Sequence, residues 1–184
     1  MAIAGYTRVC GKSTTGNLKF WVSEVTNVTS IAITGNEIST FTASASIFHR
    51  TQAALDTLAR SEKAEGGKQG YKFTHEIKAS FPKPSTLLKT YIEALENASP
   101  CGIAVVILDG NGQAWLLGYN LTDKSDRGMY LTNASMDSGL MPGEDGKQDW
   151  DITLTGISSE HALPFNSTIN ATIVSEAATW LSTT

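Results

Sequence analysis

One short stretch of the sequence has the residue types of a phosphate-binding loop. Residues 11–14 read GKST, which is how such a loop ends before its helix. A loop of this kind has four residues between its first glycine and the Gly-Lys pair, so that its backbone N–H groups curl around the phosphates. Here five residues separate Gly5 from Gly11, and the residues from 18 onward have the character of a strand. We therefore interpret residues 11–14 as a turn and predict no cofactor site.

The histidines and one serine-rich stretch are the next candidates for catalysis or metal binding. Residues 158–161 read SSEH, the residue types of a hydrolase, but the G-x-S-x-G elbow that presents a nucleophile is missing. His49, His75 and His161 do not have the spacing of metal ligands, and neither cysteine lies near them in sequence. His75 falls on the apolar side of an alternating segment, where a hydrogen-bonded core or interface histidine is the usual outcome. We predict no catalytic residue, no metal site and no enzyme activity.

Two groups of carboxylates could hold a cation. Asp109 and Asn111 begin like a calcium-binding loop, but Gln113 stands at the next ligand position and the required glycine does not follow it. We interpret this stretch as a hairpin turn. Asp149 and Asp151 lie on one face of a predicted strand, where a solvated face is the commoner outcome at this spacing.

The composition argues against several classes of function. The chain has 184 residues, of which 41% are apolar and 17% charged, and its formal net charge is −4. Its Lys and Arg residues are scattered, unlike the clusters that bind nucleic-acid phosphates. No segment approaches the roughly 20 apolar residues of a membrane-spanning helix, and no signal-peptide pattern begins the sequence. We predict a soluble protein with no membrane partner and with free thiols at Cys10 and Cys101, a single bridge between them being the alternative.

A helix followed by a hairpin is the clearest structural unit in the sequence. Residues 84–98 carry apolar side chains at helical spacing, with Ser85 as the N-cap, and Pro100 ends the helix. The apolar stripe consists of Leu87, Leu88, Tyr91, Ile92 and Leu95. Residues 103–108 form an apolar run typical of a strand buried on both faces, and a tight turn leads to a second strand at 114–119. The helix is predicted to pack its stripe against this hairpin.

Most of the remaining sequence has strand patterns. Residues 71–81 alternate apolar and polar side chains, the strongest two-residue period in the chain. Further strands are predicted at 18–25, 28–33, 38–48, 127–134, 150–155 and 168–174. Residues 137–147 are predicted to form a loop, and residues 177–181 a short helix or an arm.

Two polar segments are predicted to lie outside the regular elements. Residues 1–17 are interpreted as an N-terminal arm, and residues 51–70 as a long exposed loop, a short helix at 53–59 being left open. No break in composition divides the chain. The sequence therefore predicts one mainly β domain over residues 1–184, a β-sandwich or half-barrel with one packing helix at about 84–98.

Three stretches carry a resemblance to a known family. They are IAGYTRVCG at 3–11, FPKPSTLLKTYIEALENASPCGIAVVILDGNGQAWLLGYN at 81–120 and DWDITLTGISSEHALPF at 149–165. The layout resembles tail-tube, or major tail, proteins of tailed bacteriophages, in particular those of phages that infect Bacteroidetes-type hosts. The resemblance implies a β-sandwich or half-barrel with one flanking helix. It also implies that six copies form a ring whose sheets join into a continuous barrel around a channel, and that the rings stack.

The resemblance also implies a function and a set of partners. The protein would be a structural component of the virion tail, made in the cytoplasm of the bacterial host. Its partners would be further copies of itself, other tail or neck proteins of the phage, and DNA that passes without specific binding. Net acidity suits this passage through like-charge repulsion. The predicted inter-subunit contact residues lie in the arm and the long loop: Arg8, Lys12, Arg60, Glu62, Lys63, Glu65 and Lys68.

Two other functions fit the same residues. The first is another structural virion protein, such as a head–tail connector, a tail terminator or a head-decoration protein, which would form a defined oligomer without polymerising. The second is a carbohydrate-binding β-sandwich module, in which Trp21, Trp115 and Trp150 would be exposed platforms for sugar rings.

Overall fold

The computed structural model describes residues 19–54, 57–67, 70–119, 128–137 and 149–182. The strands within these residues are β1 (Lys19–Glu24), β2 (Val28–Thr34), β3 (Glu37–Ala43), β4 (Phe48–Thr51), β5 (Ala59–Gly67), β6 (Gly70–Pro82), β7 (Ile103–Leu108), β8 (Ala114–Leu117), β9 (Tyr130–Asp137), β10 (Asp149–Ser158), β11 (Leu163–Pro164) and β12 (Leu181–Ser182). The helices are α1 (Thr86–Ala98) and α2 (Ser167–Val174). The protein is mainly β with a packing helix, as the sequence predicts.

The strands form two larger sheets and one separate hairpin. The first sheet has six strands in the order β11-β8-β7-β1-β4-β12, and only the β4–β12 pair in it is parallel. The second sheet has four antiparallel strands in the order β5-β6-β10-β9. Strands β2 and β3 pair with each other. None of the helices among the described residues is long and apolar enough to cross a membrane.

Strand β1 lies near the centre of the six-stranded sheet and is buried on both faces. Phe20 and Val22 point to one side and Trp21 to the other, as their alternation predicts, and all three are at most 1% exposed. The side chains of a strand alternate between the faces of its sheet, so a strand that is apolar at consecutive positions needs a cover on each face. The six-stranded sheet therefore separates two apolar cores.

The two cores have different covers. On the first side, α1 and the inner face of the four-stranded sheet pack on β1, β7 and β8. On the second side, the β2–β3 hairpin, α2 and the segment around Trp180 cover the sheet. Phe41 is central to this second core, because its ring lies 4.7–5.7 Å from the rings of Phe48, Phe165 and Trp180.

Helix α1 agrees with its prediction in both position and cap. The hydroxyl oxygen of Ser85 accepts a hydrogen bond from the backbone N–H of Leu88 at 3.1 Å. The buried stripe includes Tyr91, whose hydroxyl is hydrogen-bonded to that of Thr51 at 2.9 Å. Leu87 differs from the prediction: it is 55% exposed and lies outside the stripe.

Residues 59–67, predicted as part of an exposed loop, form strand β5 instead. The polar composition suggested a loop, but β5 is an edge strand whose residues are mostly exposed, so it needs few apolar side chains. Its backbone pairs with β6 along its whole length, from Ala59 opposite Lys78 to Gly67 opposite Gly70. Residues 53–54 and 57–58 are not helical.

Residues 168–174, predicted as a strand, belong to helix α2. The side chain of Asn166 caps this helix by accepting from the Ile169 N–H at 2.9 Å. Asn170 then fixes the helix on the β7–β8 hairpin, because its side chain accepts from the Ala114 N–H at 2.8 Å and donates to the Gly112 carbonyl at 2.9 Å. These tertiary bonds and the burial of Ile173 outweigh the strand propensity of the β-branched residues.

Smaller differences concern the ends of other elements. The strand predicted at 38–48 is divided, because β3 ends at Ala43 and Ser46 adopts a positive φ of 52° before β4 begins. The segment predicted as a helix or an arm at 177–181 ends in strand β12. Cys101 is a free, exposed thiol. Cys10, the arm at 1–17 and nearly all of the loop at 137–147 lie outside the described residues.

One carboxylate connects the C-terminal part of the described chain to the six-stranded sheet. Glu176, which follows α2, binds Lys19 at 2.6 Å and Arg50 at 3.2 Å. These cations belong to β1 and β4, so the ion pairs join the second core to its sheet. All three side chains are partly buried, which screens the pairs less than at an open surface.

The two leucines at the start of α1 provide a matched test of the first core. Leu88 is fully buried, whereas its neighbour Leu87 is mostly exposed. We expect Leu88→Ala to lower the free energy of unfolding by about 2–5 kcal/mol, because it leaves a cavity. Leu87→Ala should change it by about 0.5 kcal/mol or less. Urea denaturation followed by circular dichroism measures both, and equal effects would contradict the assignment of the buried stripe.

Candidate functional site

Three ionisable side chains meet where the β5–β6 hairpin touches the connection between β10 and β11. We call Glu62, His75 and His161 the Glu62 cluster. Glu62 and His75 are opposite each other in the register of β5 and β6, so both point to the inner face of the sheet. His161 comes from the connection, three residues after the end of β10.

The Glu62 carboxylate is the centre of the cluster. One oxygen, Oε1, accepts a hydrogen bond from Nδ1 of His161. The other, Oε2, lies 3.3 Å from the backbone N–H of Ala162, 3.4 Å from Nη2 of Arg60 and 3.4 Å from Nδ1 of His75. A carboxylate only accepts hydrogen bonds, so the N–H groups of His161, Ala162 and Arg60 can satisfy it without water.

His75 is the most buried member of the cluster, with a side chain that is 5% exposed. Its Nε2 lies 3.2 Å from the carbonyl oxygen of Glu160, and a carbonyl can only accept, so Nε2 carries a proton. In the uncharged ring Nδ1 is then a bare acceptor. It has no hydrogen-bond partner among the described residues and faces the Glu62 carboxylate. Of the two predicted alternatives, a hydrogen-bonded core or interface histidine, His75 matches the core histidine within this chain.

Burial and neighbouring charges shift two pKa values in the cluster. Burial lowers the pKa of His75, and nearby Arg60 and His161 lower it further, while the Glu62 carboxylate and the Glu160 carbonyl offset only part of this. Burial alone would raise the pKa of Glu62. The hydrogen bonds from His161 and Ala162, together with electrostatic attraction to the two histidine rings, outweigh burial and hold the pKa of Glu62 below its ordinary value.

Arg60 links the Glu62 cluster to the β7–β8 hairpin. Its guanidinium carbon lies 4.3 Å from the centre of the Trp115 ring, a cation–π contact. The indole N–H of Trp115 donates to Asp109 at 3.0 Å, and the same carboxylate accepts the backbone N–H groups of Asn111 and Gln113 at 2.8 and 2.9 Å. Asp109 therefore closes a hairpin turn, as predicted, and does not begin a calcium loop.

A small cleft lies beside the Glu62 cluster. It is lined by His75, Leu116, Leu117, Gly118, Tyr119, Gly156, Ile157, Ser158, His161, Ala162 and Leu163. Its space of about 330 Å³ includes open solvent, and its enclosed part has room for about one water molecule. The cleft is therefore too small to enclose an organic ligand.

The cluster does not have the arrangement of a metal site or of a serine hydrolase. Among the described residues, no group of three or more His, Cys, Asp or Glu side chains could hold a metal ion. The hydroxyl of Ser158 accepts from the backbone N–H of Glu160 at 3.1 Å and so closes a turn at the end of β10. The chemistry that the cluster can do is to bind and release protons.

The predicted contact residues are in three different situations. Arg60 and Glu62 point inward and contact their own chain, with side chains that are 22% and 18% exposed. Lys63 and Glu65 point outward and form an exposed ion pair at 2.9 Å. Arg8, Lys12 and Lys68 lie outside the described residues.

Sequence patterns did not predict the Glu62 cluster, because its members are far apart along the chain. Glu62 and His161 are separated by 99 positions. The only usable signal was the alternation of β6, which places His75 inward. Once residues 59–67 are recognised as a strand paired with β6, the same alternation places Glu62 opposite His75.

The tryptophans are not arranged as exposed sugar platforms. Trp21 is 1% exposed in the second core. Trp115 is partly buried against the first core, and Arg60 lies against its ring. Trp150 is partly buried against the first core. This distribution does not favour the carbohydrate-binding alternative.

The outer face of the four-stranded sheet is polar. By the strand register, its residues on β5 and β6 are Ser61, Lys63, Glu65, Lys72, Thr74, Glu76, Lys78 and Ser80, and on β10 they are Asp151, Thr153, Thr155 and Ile157. Its charges are partly paired: Lys78 binds Glu76 at 2.8 Å, and Asp151 accepts from the Ser80 hydroxyl. Asp151 is thus part of a polar strand face, as predicted.

The four-stranded sheet also has two open edges. Among the described residues, β5 pairs only with β6 and β9 pairs only with β10, but the edge of β9 is occupied at its start, where the Leu131 N–H donates to the Ser99 hydroxyl at 2.9 Å. Open edges present backbone N–H and C=O groups that another strand can bind.

No protein-family model matches the chain, and a comparison with curated proteins found no match.

Removal of the charge of Glu62 tests whether its carboxylate holds the two sheets together. We expect Glu62→Gln to lower the free energy of unfolding at pH 7.5 by about 1–3 kcal/mol, because an amide cannot accept from His161, Ala162 and Arg60 together. Glu65→Gln is the matched control on the outer face of the same strand and should have no measurable effect. Urea denaturation measures both variants, and a Glu62→Gln variant as stable as the wild type would contradict this role.

Proposed function

We propose that this chain is a structural virion protein, a tail-tube subunit that assembles with copies of itself into stacked rings. The observation that supports this proposal best is the four-stranded sheet, which has an apolar inner face, a polar outer face and two open edges. In the proposed ring, sheets of neighbouring copies join edge to edge, and their polar faces line the channel.

The strand directions are compatible with this joining. All neighbouring strands in the sheet are antiparallel, so in the order β5-β6-β10-β9 the two edge strands run in opposite directions. When copies are related by rotation about an axis along the strands, β9 of one copy meets β5 of the next in antiparallel orientation. The sheet can therefore continue around a ring without reversing any subunit, and a closed ring leaves no open edge.

The charge of the outer face suits a channel for DNA. Lys63 pairs with Glu65 and Lys78 with Glu76, so these cations are already neutralised within the subunit. Strong binding to DNA requires clusters of free Lys and Arg that displace counterions from the phosphates. A channel surface of Thr, Ser and paired charges would bind the DNA duplex only weakly, so the duplex could pass through.

In the proposed ring, the backbone direction of β5 determines which of its N–H groups could bind the neighbouring copy. The carbonyl of Ser80 on β6 accepts from the Ala54 N–H at 2.7 Å, so this side of β6 faces the β5 segment. Backbone direction alternates along antiparallel strands, so Lys78 and Thr74 also face β5, and Phe73 does not. The N–H of Ala64, opposite Phe73, therefore points to the open edge.

The first test is whether the purified full-length protein assembles. We expect electron microscopy to show rings or tubes, and sedimentation velocity to show a polymer that grows with protein concentration. A closed oligomer that never polymerises would favour a connector, terminator or decoration protein instead. A strict monomer at high concentration, even after addition of preformed tubes, would refute the proposal.

A proline at the open edge tests the joining of the sheets. Ala64→Pro removes an N–H that points away from β6, so we expect a folded subunit with wild-type circular dichroism that does not form rings. Ala64→Ser is the matched control, because it keeps the N–H and should assemble like the wild type. Equal assembly of the two folded variants would show that β5 is not the joining edge.

A further inference from the structure

Strand β2 has an open edge on the side of the six-stranded sheet that faces away from the four-stranded sheet. Its hairpin with β3 covers the second core, and among the described residues β2 pairs only with β3. The two shifts in the β2–β3 register add Thr29 to β2 and Ser39 to β3, so residues 30–34 of β2 contain no bulge of their own. These residues therefore present a regular row of backbone groups along the open edge.

Two hydrogen bonds show which backbone groups of β2 point to this edge. The Ala32 carbonyl accepts from the Ser39 hydroxyl of β3 at 3.2 Å, so Ala32 faces β3. The Ile38 carbonyl accepts a backbone N–H of the segment after β11 at 3.0 Å, so Ile38 faces away from β2, and so does Ile33 opposite it. Backbone direction alternates along a strand, so the N–H and C=O groups of Ile31 and Ile33 point to the open edge.

This edge lacks the features that usually prevent edge strands from pairing. Such strands are protected by charged side chains, above all Lys, or by proline. Residues 28–34 read VTSIAIT and contain no charged residue, no proline and no glycine, whereas the edge strand β5 reads ARSEKAEGG. A short strand that is rich in β-branched residues and free of charge has a high tendency to pair with another strand.

The order of the side chains indicates which strand fits this edge. Residues 30–34 read SIAIT, in which an isoleucine stands on each side of Ala32 and a hydroxyl residue stands beyond each isoleucine. A strand with this symmetry is complementary to itself when it is turned by a half rotation, which is the requirement of a twofold interface.

We propose that two copies of this chain pair through β2 in antiparallel orientation, around a twofold axis at Ala32. Ile31 of one copy then lies opposite Ile33 of the other, and Ser30 lies opposite Thr34. This inference does not depend on the proposed function, because the pairing does not involve β5 or β9.

Each residue of the symmetric stretch meets a suitable partner in this register. Ile31 and Ile33 have backbone groups that face the edge, so each Ile31–Ile33 pair exchanges two hydrogen bonds. The two copies of Ala32 form a non-hydrogen-bonded pair, in which the Cα atoms approach to about 4.5 Å, and a methyl side chain suits this close approach. Ser30 and Thr34 can form a hydrogen bond between their hydroxyls across the strands.

The pairing also covers exposed apolar surface. Ile31 packs against the second core, and the alternation of the strand places Ile33 on the same face, where it is 43% exposed. In the paired strands each Ile33 gains Ile31 of the other copy as its cross-strand neighbour. Identical strands that carried charge could instead bring like charges together, but β2 carries none.

Cysteine cross-linking tests both the pairing and its register. In the full-length protein with Cys10→Ser and Cys101→Ser, we expect Ala32→Cys to form a covalent dimer on oxidation with copper phenanthroline. The Cα separation of this pair, about 4.5 Å, lies within the range of about 4.4–6.8 Å that a disulfide spans. Thr34→Cys is the matched control on the same strand face, because the pairing places its two thiols about 14 Å apart along the strands. Electrophoresis without reductant measures the dimer.

A mixture of two variants checks the register independently. Neither Ser30→Cys nor Thr34→Cys should give a covalent dimer alone. An equal mixture of the two should do so, because the pairing places Ser30 of one copy opposite Thr34 of the other.

A proline tests the backbone hydrogen bonds of the pair. Ile33→Pro removes an N–H that points to the open edge, whereas Ile33→Val keeps it and is the matched control. Both are placed in the Ala64→Pro variant, in which the ring joint on β5 is blocked. We expect sedimentation velocity at high protein concentration to show a dimer for Ala64→Pro alone and with Ile33→Val, and a monomer with Ile33→Pro.

Three results would overturn the inference. One is a folded Ala32→Cys protein that gives no covalent dimer, which would leave the edge of β2 unpaired or reserved for a different chain. Another is equal cross-linking of Ala32→Cys and Thr34→Cys, which would mean random collision. The third is equal dimerisation with Ile33→Pro and Ile33→Val. The cross-link does not require β5, so it decides the matter even where ring assembly fails or Ile33→Pro does not fold.

Discussion

The burial of β1 on both faces is the constraint on which the rest of the structure depends. Phe20, Trp21 and Val22 are consecutive, so neither face of the central strand can be left in water. One face is covered by α1 and the inner side of the four-stranded sheet, and the other by the β2–β3 hairpin, α2 and Trp180. The layered architecture follows from this requirement, because no single sheet or helix can cover both sides of a strand.

The elements with a strong apolar period were predictable from the sequence. The stripe of α1, the alternation of β6 and the apolar run of β7 each show a period that only one type of element satisfies. Strand β5 has no such period, because its outer side is exposed along its whole length and its inner side is exposed beyond Glu62, so that it tolerates Lys, Glu and Gly. Helix α2 was misassigned because the bonds of Asn170 to the β7–β8 hairpin, 56 and 58 positions away, decide its conformation.

The Glu62 cluster could not be predicted from the sequence for a related reason. Glu62 was predicted as a contact residue of an exposed loop, and His161 was considered only as a catalytic residue or a metal ligand, both of which its sequence context argued against. Their meeting requires the register of β5 on β6 and the path of the chain after β10, neither of which local patterns encode. The resulting site is a partly buried carboxylate that serves two sheets at once, while the outward neighbours of Glu62 on β5 remain free for other contacts.

The ion pairs of Glu176 have a consequence for the order in which the protein folds. Glu176 is 157 positions from Lys19 and 126 positions from Arg50, whereas β5 ends only three positions before β6 begins. Closing a long loop costs more conformational entropy than closing a hairpin, so contacts between distant residues form late. We therefore expect the β5–β6 hairpin to be organised while the second core is still open. The C-terminal part of the described chain would then complete the fold by docking on strands that already exist.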